Sequence, residues 1–566
     1  MGILRWLWEM AARAYAAVYW RLTGRLLRRA RYEAIEIEIA GALPEHRAPG
    51  SPFEFRRPAR LTHRRLIELL DFAAADPRLK TIIVRLGPLT VGLARLQEVA
   101  RALDRVKAAG KTLVAHLDSV GLREYVLAAR CQRRLMTPTA VLALTGLNME
   151  ITYLRGLLDK ADVEADLLVA GKFKSAAEMF TRTSAGEASH AMTEGLLDDL
   201  YTQLVADVAT ALGKSPAQVA KLIDGGPYAP ERAVKAGLVD KLAYRDEMLA
   251  ELGVKDERRL VPGLRYWRLM ERRERARARM IAAPTLALVH LSGAIRDGRG
   301  DPASGRPGAD SYVKLLRRLR RDKRVKAVVL RIASPGGAAG GSDLIRREAA
   351  NLAAEKPLVV SMGDVAASGG YMAAVAGRTI LAEPATLTGS IGVIAGKFAV
   401  AGLLAKLGVN VEAHRRGAAA GIFSGLGRFS ALERRRMTEV LGAAYSSFKE
   451  AVAAGRKMTA ERVDEIAEGR VWTGREALEH KLVDKLGGLA EALAEAKNLA
   501  GCAAGEPARW IEFPQPLSPW RLLRSFGAVD AVLPALTADS PLAMLDEMRA
   551  LAAGPYAGLP FRIRVK

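Results

Sequence analysis

Cysteine is scarce in this chain of 566 residues, with Cys131 and Cys502 the only two. Two thiols so far apart in sequence build no disulfide framework and have no metal-ligand spacing. The seven histidines are scattered and form no HxxxH or CxxC-type cluster, so neither a metal nor a cofactor is expected. Aromatic residues make up only 6%, whereas glycine reaches 52 and half the residues are hydrophobic in type. That balance excludes an extended disordered chain and suits two or more packed α/β domains. Long apolar runs are also missing. Within residues 1–31, Arg5, Glu9, Arg13 and Arg21 interrupt the apolar residues, leaving no stretch of the ~20 residues a spanning helix needs. The uninterrupted core and small-residue cleavage site of a secretory signal are absent there too.

What the chain has in excess is positive charge, a formal +24. Such a balance favours anionic partners, nucleic acid or an acidic membrane surface. No recognised nucleic-acid fold and no aromatic-basic interleave accompanies it, so nucleic acid is not expected as a partner. Arginines dressing solvated helix faces account for it equally well. At the N-terminus Trp6, Trp8, Tyr15, Tyr19 and Trp20 stand among Leu, Ala and Arg. This is the composition of a helix lying in the bilayer interface; the alternative is an amphipathic helix packed against the protein body. The reading assigns residues 1–43 to this segment.

Residues 44–58 are proline-rich and read as a loop. A first α/β unit follows over 59–250, with strands TIIVRL (81–86) and TLVAHL (112–117) flanking a helix. An Arg-dense stretch, 251–283, reads as an exposed connecting helix. A second α/β unit covers 284–500, and a tail of unassigned role runs from 501 to 566. The two units repeat one another. IIVRL (82–86) matches VVLRI (328–332) at an offset of 246, and Tyr125 and Pro138 match Tyr371 and Pro384 at the same offset. AGLVDKL (236–242) matches the end of EHKLVDKL (479–486) at 244. Short Val/Ile/Leu strands alternating with helices predict parallel sheets covered by helices.

Two stretches of the second unit carry chemistry. In VVLRIASPGGAAGGSDLI (328–345) a buried strand ends in Ser334-Pro335-Gly336-Gly337, and glycines there leave backbone N–H groups uncovered for a carbonyl oxygen. In PLVVSMGDVAASGGYMAAV (357–375) Ser368-Gly369-Gly370 opens a helix, where free amides stabilise developing negative charge. A serine hydroxyl needs a base. His414 is the one histidine to consider near these motifs, but a lysine serves if burial lowers its pKa from ~10.4. The first unit offers LLVAGKFKSAAEMF (167–180), where Lys172 and Lys174 alternate about Phe173 and face opposite ways if extended; spacing alone does not choose between them. At the repeat offset Ser368 falls on Leu122 and Lys174 on Ala420, and no lysine lies between Lys406 and Lys449. Each unit has thus kept one half of a dyad.

The SPGG turn, MGDVAASGGYM (362–372), TLTGSIGVI (386–394) and GKFKSA (171–176) together resemble the long, two-repeat form of signal peptide peptidase A (protease IV). The resemblance implies a tandem of ClpP/crotonase-like units. It implies Ser368 as nucleophile and Lys174, directly before Ser-Ala, as general base. It makes Ser390 the group that orients the lysine amine, and it builds an oxyanion hole from Gly369 with Gly336 or Gly337. It further implies hydrolysis of hydrophobic peptides such as released signal peptides, and a homo-oligomer, a tetramer by resemblance. The protein would sit at the cell inner membrane, peripheral or monotopic, its face left open. The long form usually carries an N-terminal span, which residues 1–31 do not supply. A crotonase-type acyl-CoA enzyme would need carboxylates at the site, and a catalytically silent membrane scaffold would have no use for a complete dyad.

Overall fold

The computed structural model describes residues 2–29, 34–46, 61–254, 257, 260–302, 305–503, 505–515 and 556–557. The first half contributes β1 (Ala34–Gly41), β2 (Thr81–Leu89), β3 (Thr112–Leu117), β4 (Val120–Gly121), β5 (Arg133–Met136), β6 (Leu142–Ala143), β7 (Glu164–Ala170), β8 (Lys241–Leu242) and β9 (Leu260–Pro262). The second contributes β10 (Thr285–Ser292), β11 (Val325–Ser334), β12 (Gly337–Ala338), β13 (Leu358–Ala367), β14 (Thr379–Ala382), β15 (Leu387–Gly389) and β16 (Val393–Ala399). It closes with β17 (Val471–Thr473), β18 (Lys485–Leu486), β19 (Arg509–Phe513) and β20 (Tyr556–Ala557).

Two mostly parallel sheets form, and they correspond strand for strand. The first runs β8-β5-β3-β2-β1-β9; the second carries β18-β14-β13-β11-β10-β19 in the same succession, with β15 and β17 added beside β13. In β11 nearly every residue is buried, as a strand covered by helices on both faces requires. A third, antiparallel sheet, β12-β20-β16-β7, joins the halves. There the whole of β7 pairs with the whole of β16, from Ala170↔Val393 to Glu164↔Ala399. Leu154, Leu158, Val163 and Phe180 of the first half pack with Ile394 and Phe398 of the second behind this ladder.

The limits of both units differ from the sequence reading. β1 lies within the segment assigned to the N-terminal helix, yet it is a central strand of the first sheet. Its sequence AIEIEIAG alternates strictly, so Ile35, Ile37 and Ile39 are buried while Glu36 and Glu38 face the other way. β19 likewise belongs to the second sheet, paired with β10, although it falls in the tail. The Arg-rich helix Gly263–Met280 is not simply exposed. Tyr266 and Trp267 are buried, and Trp267 Nε1 donates to Glu68 Oε2 at 3.1 Å. The helix Gly2–Arg29 packs on it, with Ala16 buried and the Arg273 guanidinium 5.7 Å from the centre of the Trp20 ring. Tyr15, Val18 and Leu22 stay exposed. Among the described residues no helix is long and apolar enough to cross a membrane.

Charged groups lock the seam between the halves. Arg331, fully buried, donates to Glu45 Oε1 and Oε2, to Glu98 Oε1 at 2.6 Å, to Ser361 Oγ and to the Met362 carbonyl. A guanidinium buried without such partners would cost several kcal/mol. The helix Leu93–Ala108 begins at Gly92, which has no side chain to cap it. Asp364 of the second half supplies the cap, accepting from Gly92 N at 3.1 Å and Arg95 N at 2.9 Å.

Candidate active site

β13 runs four residues beyond Gly363 and ends at Ala367, and Ser368 then turns the chain into the helix Gly369–Ala374. The turn forces φ of +54° on Ser368, a left-handed conformation that a non-glycine residue holds only when its surroundings fix it. Those surroundings are the Gly389 carbonyl, which accepts from Ser368 N at 2.8 Å, and the close-packed small residues that follow. The hydroxyl is thereby held at a helix N-terminus.

Lys174 follows β7 and reaches the same point from the other half. Its Nζ lies 2.7 Å from Ser368 Oγ, 2.9 Å from Ser390 Oγ and 3.0 Å from the Ser390 carbonyl. The residue is 2% exposed, and burial holds its pKa well below the usual lysine range. Desolvation by burial is the cause of that shift, with no charged group contributing, so the amine has hydrogen-bond partners but no counter-charge. The amine donates to the Ser390 hydroxyl and carbonyl; in its neutral form one lone pair is left that can accept from the Ser368 hydroxyl. Ser390 is itself fixed at φ +52° between β15 and β16.

The sequence reading missed what holds Lys174. The turn Glu468-Gly469-Arg470, just ahead of β17, clamps both partners. The Glu468 carbonyl accepts from Phe173 N at 2.7 Å, and the Arg470 carbonyl accepts from Ser390 N at 2.7 Å. Gly469 has φ +77°, and a Cβ there would stand 2.6 Å from Lys174 N and Cβ. The signal in the sequence is a glycine (EGRVWTG, 468–474) directly before a short apolar strand.

On the opposite side the SPGG turn abuts Ser368. Gly336 and Gly337 have φ of +104° and +151°, and a Cβ on Gly369 would meet Gly336 Cα at 3.3 Å. Ser334 Oγ takes the Gly336 amide at 3.2 Å, which leaves Gly337 the better placed of the two to receive an oxygen. The structure therefore brings together Ser368, Lys174, Ser390, Gly369 and the SPGG glycines. Lys172 is exposed, its Nζ 5.0 Å from the Phe173 ring centre, and His414 is exposed beside Glu412. Neither touches the dyad. Cys131 and Cys502 are both free.

A family model described as peptidase family S49 matches the chain twice, over residues 105–258 and 350–503. Serine protease SPPA, chloroplastic, of Arabidopsis thaliana is 34% identical over 453 residues, 78% of this chain and 66% of that protein. Protease 4 of Salmonella typhi is 32% identical over 72% of this chain and 66% of its own length. Protease 4 of Haemophilus influenzae is 29% identical over 78% and 74%. The chain thus spans just under two thirds of the first two relatives. Among solved structures, ClpP1 from Listeria monocytogenes aligns with 36% of this chain and 94% of its own at 16% identity and a TM-score of 0.23.

Proposed function

The chain belongs to peptidase family S49, and from that premise we propose that it is a serine endopeptidase whose nucleophile is Ser368 and whose general base is Lys174. The observation that carries the reading is the buried, unpaired Lys174 amine 2.7 Å from the Ser368 hydroxyl. The neutral amine takes the hydroxyl proton as Oγ bonds to a peptide carbonyl carbon. The Gly369 and Gly337 amides receive the oxyanion. The ammonium of Lys174 then hands its proton to the departing amine as the C–N bond breaks. Water, deprotonated by the same lysine, releases the acyl group. Ser390 positions the amine through its hydroxyl and carbonyl.

The division of the chain follows the sheets. One unit runs from β1 to β9 with its flanking helices and supplies the base; the other runs from β10 to β19 and supplies the nucleophile. The substrates are hydrophobic peptides of the kind left by released signal sequences. The helix Gly2–Arg29 brings the protein to the inner-membrane surface through its exposed Tyr15, Val18 and Leu22, and copies assemble as a homo-oligomer, a tetramer by resemblance to the family.

The test is hydrolysis of a signal-peptide-like substrate by the wild type, Ser368→Ala and Lys174→Ala side by side. Cleavage by the wild type with both variants folded and silent supports the dyad. Full activity in Lys174→Ala removes Lys174 as base. A wild type inert in both detergent and lipid puts the silent scaffold first.

A further inference from the structure

Three non-glycine residues of this site are held at positive φ: Ser368, Ser390 and Glu468, the last at +50°. Glycine takes that conformation without strain, whereas a glutamate keeps it only where its contacts fix it. The contacts of Glu468 run to both sides. Its carboxylate accepts from Lys172 N through Oε2 at 3.0 Å, and its carbonyl accepts from Phe173 N at 2.7 Å. Lys174 N donates back to the Gly171 carbonyl at 3.0 Å. Of the three amides in the turn that delivers Lys174, one residue of the other unit thus takes two. A Cβ on Gly171 would come within 2.6 Å of the Glu468 carbonyl carbon, so the two turns lie in direct contact. Behind Glu468 stands Tyr445, on the helix Ala431–Arg456. Its hydroxyl donates to Glu468 Oε1 at 3.3 Å and accepts from Glu468 N at 3.2 Å.

We propose, resting on the reading of Lys174 as general base, that Glu468 with Tyr445 behind it is a positioning residue for that base. Its carboxylate fixes the turn Gly171–Lys174, and thereby how deeply the amine is buried beside Ser368. The other role open to a carboxylate near a lysine is electrostatic, and the surroundings exclude it. Lys172 lies with its ammonium over the Phe173 ring, and Arg470 sets its guanidinium against the Phe173 and Trp472 rings. Lys449 stands over the Tyr445 ring and pairs with Asp464. The Lys174 amine itself faces the hydroxyls of Ser368 and Ser390 and the Ser390 carbonyl. Burial lowers its pKa with no charge contributing, so the carboxylate acts through the backbone it holds and not through its field. A turn left loose lets the lysine rise towards solvent. That restores its affinity for a proton and draws the amine away from Ser368. A glycine at 468 would be free of strain, and the contacts of the side chain account for the glutamate that stands there instead.

Two variants separate position from charge. Glu468→Gly relieves the backbone and deletes the carboxylate, whereas Glu468→Gln keeps an acceptor for Lys172 N and removes the charge. Hydrolysis of a signal-peptide-like substrate is followed across pH in the full-length chain. Glu468→Gly is expected to lower kcat about tenfold with KM unaltered, and to move the acidic limb of kcat/KM to higher pH. Glu468→Gln is expected to restore most of kcat and the wild-type limb, and Tyr445→Phe to fall between the two. A second measurement needs no turnover. In the full-length chain carrying Ser368→Ala, lysines are labelled with carbon-13 at the ε carbon, and the Lys174 resonance is identified by its loss in Lys174→Met. Its titration is expected at higher pH in Glu468→Gly than in the parent, and unchanged in Glu468→Gln. The same titration in Glu468→Gly and its parent overturns the proposal. So does a Glu468→Gln that behaves as Glu468→Gly, because charge and not position would then be at work. A titration that moves as expected, in a protein whose wild type hydrolyses nothing, supports the positioning and counts against the catalytic reading alone.

Discussion

Tyr125 and Tyr371, 246 positions apart, make the same hydrogen bond. Each is fully buried, and each donates its hydroxyl to a leucine carbonyl at 2.9 Å, Tyr125 to Leu238 and Tyr371 to Leu482. Each bond ties the short helix at the top of a sheet to the turn leading into an edge strand, β8 or β18. In the second unit that helix is the one Ser368 opens. Tyr371→Phe takes the tyrosine donor from the buried Leu482 carbonyl, a loss of about 1–1.5 kcal/mol; after Tyr125→Phe the Leu238 carbonyl still accepts from Arg134 Nε at 3.1 Å, so a smaller loss is expected. The two losses are expected to add, because the sites share no partner. Urea unfolding of both single variants and the double checks this.

The pH dependence of activity and of stability both follow from Lys174. Its folded pKa lies well below the usual lysine value because the side chain is buried, so the neutral base grows as pH rises and kcat/KM climbs along an acidic limb set by this residue. For stability the sign is fixed by proton binding. Between the folded pKa and the unfolded value near ~10.5, the unfolded chain holds a proton that the native chain lacks, so stability increases with pH across that window. Lys174→Met is expected to abolish hydrolysis, to be no less stable than the wild type at pH 7, and to flatten that rise. Rate profiles and urea melts from pH 6 to 10 read both effects.

Gly469→Ala is a small change with a large expected effect on rate. The new Cβ would collide with Lys174 N and Cβ at 2.6 Å and would have to adopt φ +77°, so the base must move. A displacement approaching 1 Å at a catalytic group costs about 10²-fold. The expected outcome is a kcat reduced by about that factor with circular dichroism unchanged; a kcat within twofold of wild type would show that the turn does not position the lysine.

Asp364→Ala removes the cap that one half of the chain supplies to the helix Leu93–Ala108 of the other, and takes from Arg95 the nearer of its two carboxylates, leaving Glu45 at 3.8 Å and the Leu43 carbonyl. A lost cap costs about 1 kcal/mol, and the weakened ion pair adds to it. Asp364→Asn keeps an acceptor for the helix amides and is expected to lose less. Thermal melts of the two variants rank them.

Much of this arrangement was legible in the residues. The offset of 246 between IIVRL and VVLRI anticipates two sheets built in the same strand order, because buried strands must repeat their hydrophobic pattern to repeat their register. The alternation of Lys172 and Lys174 about Phe173 anticipates one buried and one exposed lysine. β1 is legible in the alternation of AIEIEIAG, whose period of two belongs to a strand and not to the helical segment before it. The pairing of β7 with β16 was not legible. Which strand of one unit meets which edge of the other depends on how the two sheets dock, and no local spacing encodes that. For the same reason the Glu468–Arg470 turn was invisible as a clamp: it lies nearly 300 residues from Lys174 in sequence and touches it only through backbone atoms.

The ladder that carries β7 onto β16 also sets a timetable. A polypeptide emerging in order from its N-terminus completes the first sheet, and with it Lys174, well before Ser368 exists. Even with Ser368 made, the lysine lacks the turn at Glu468–Arg470 that holds it. No stage of synthesis short of that turn holds Lys174 and Ser368 as the folded chain holds them.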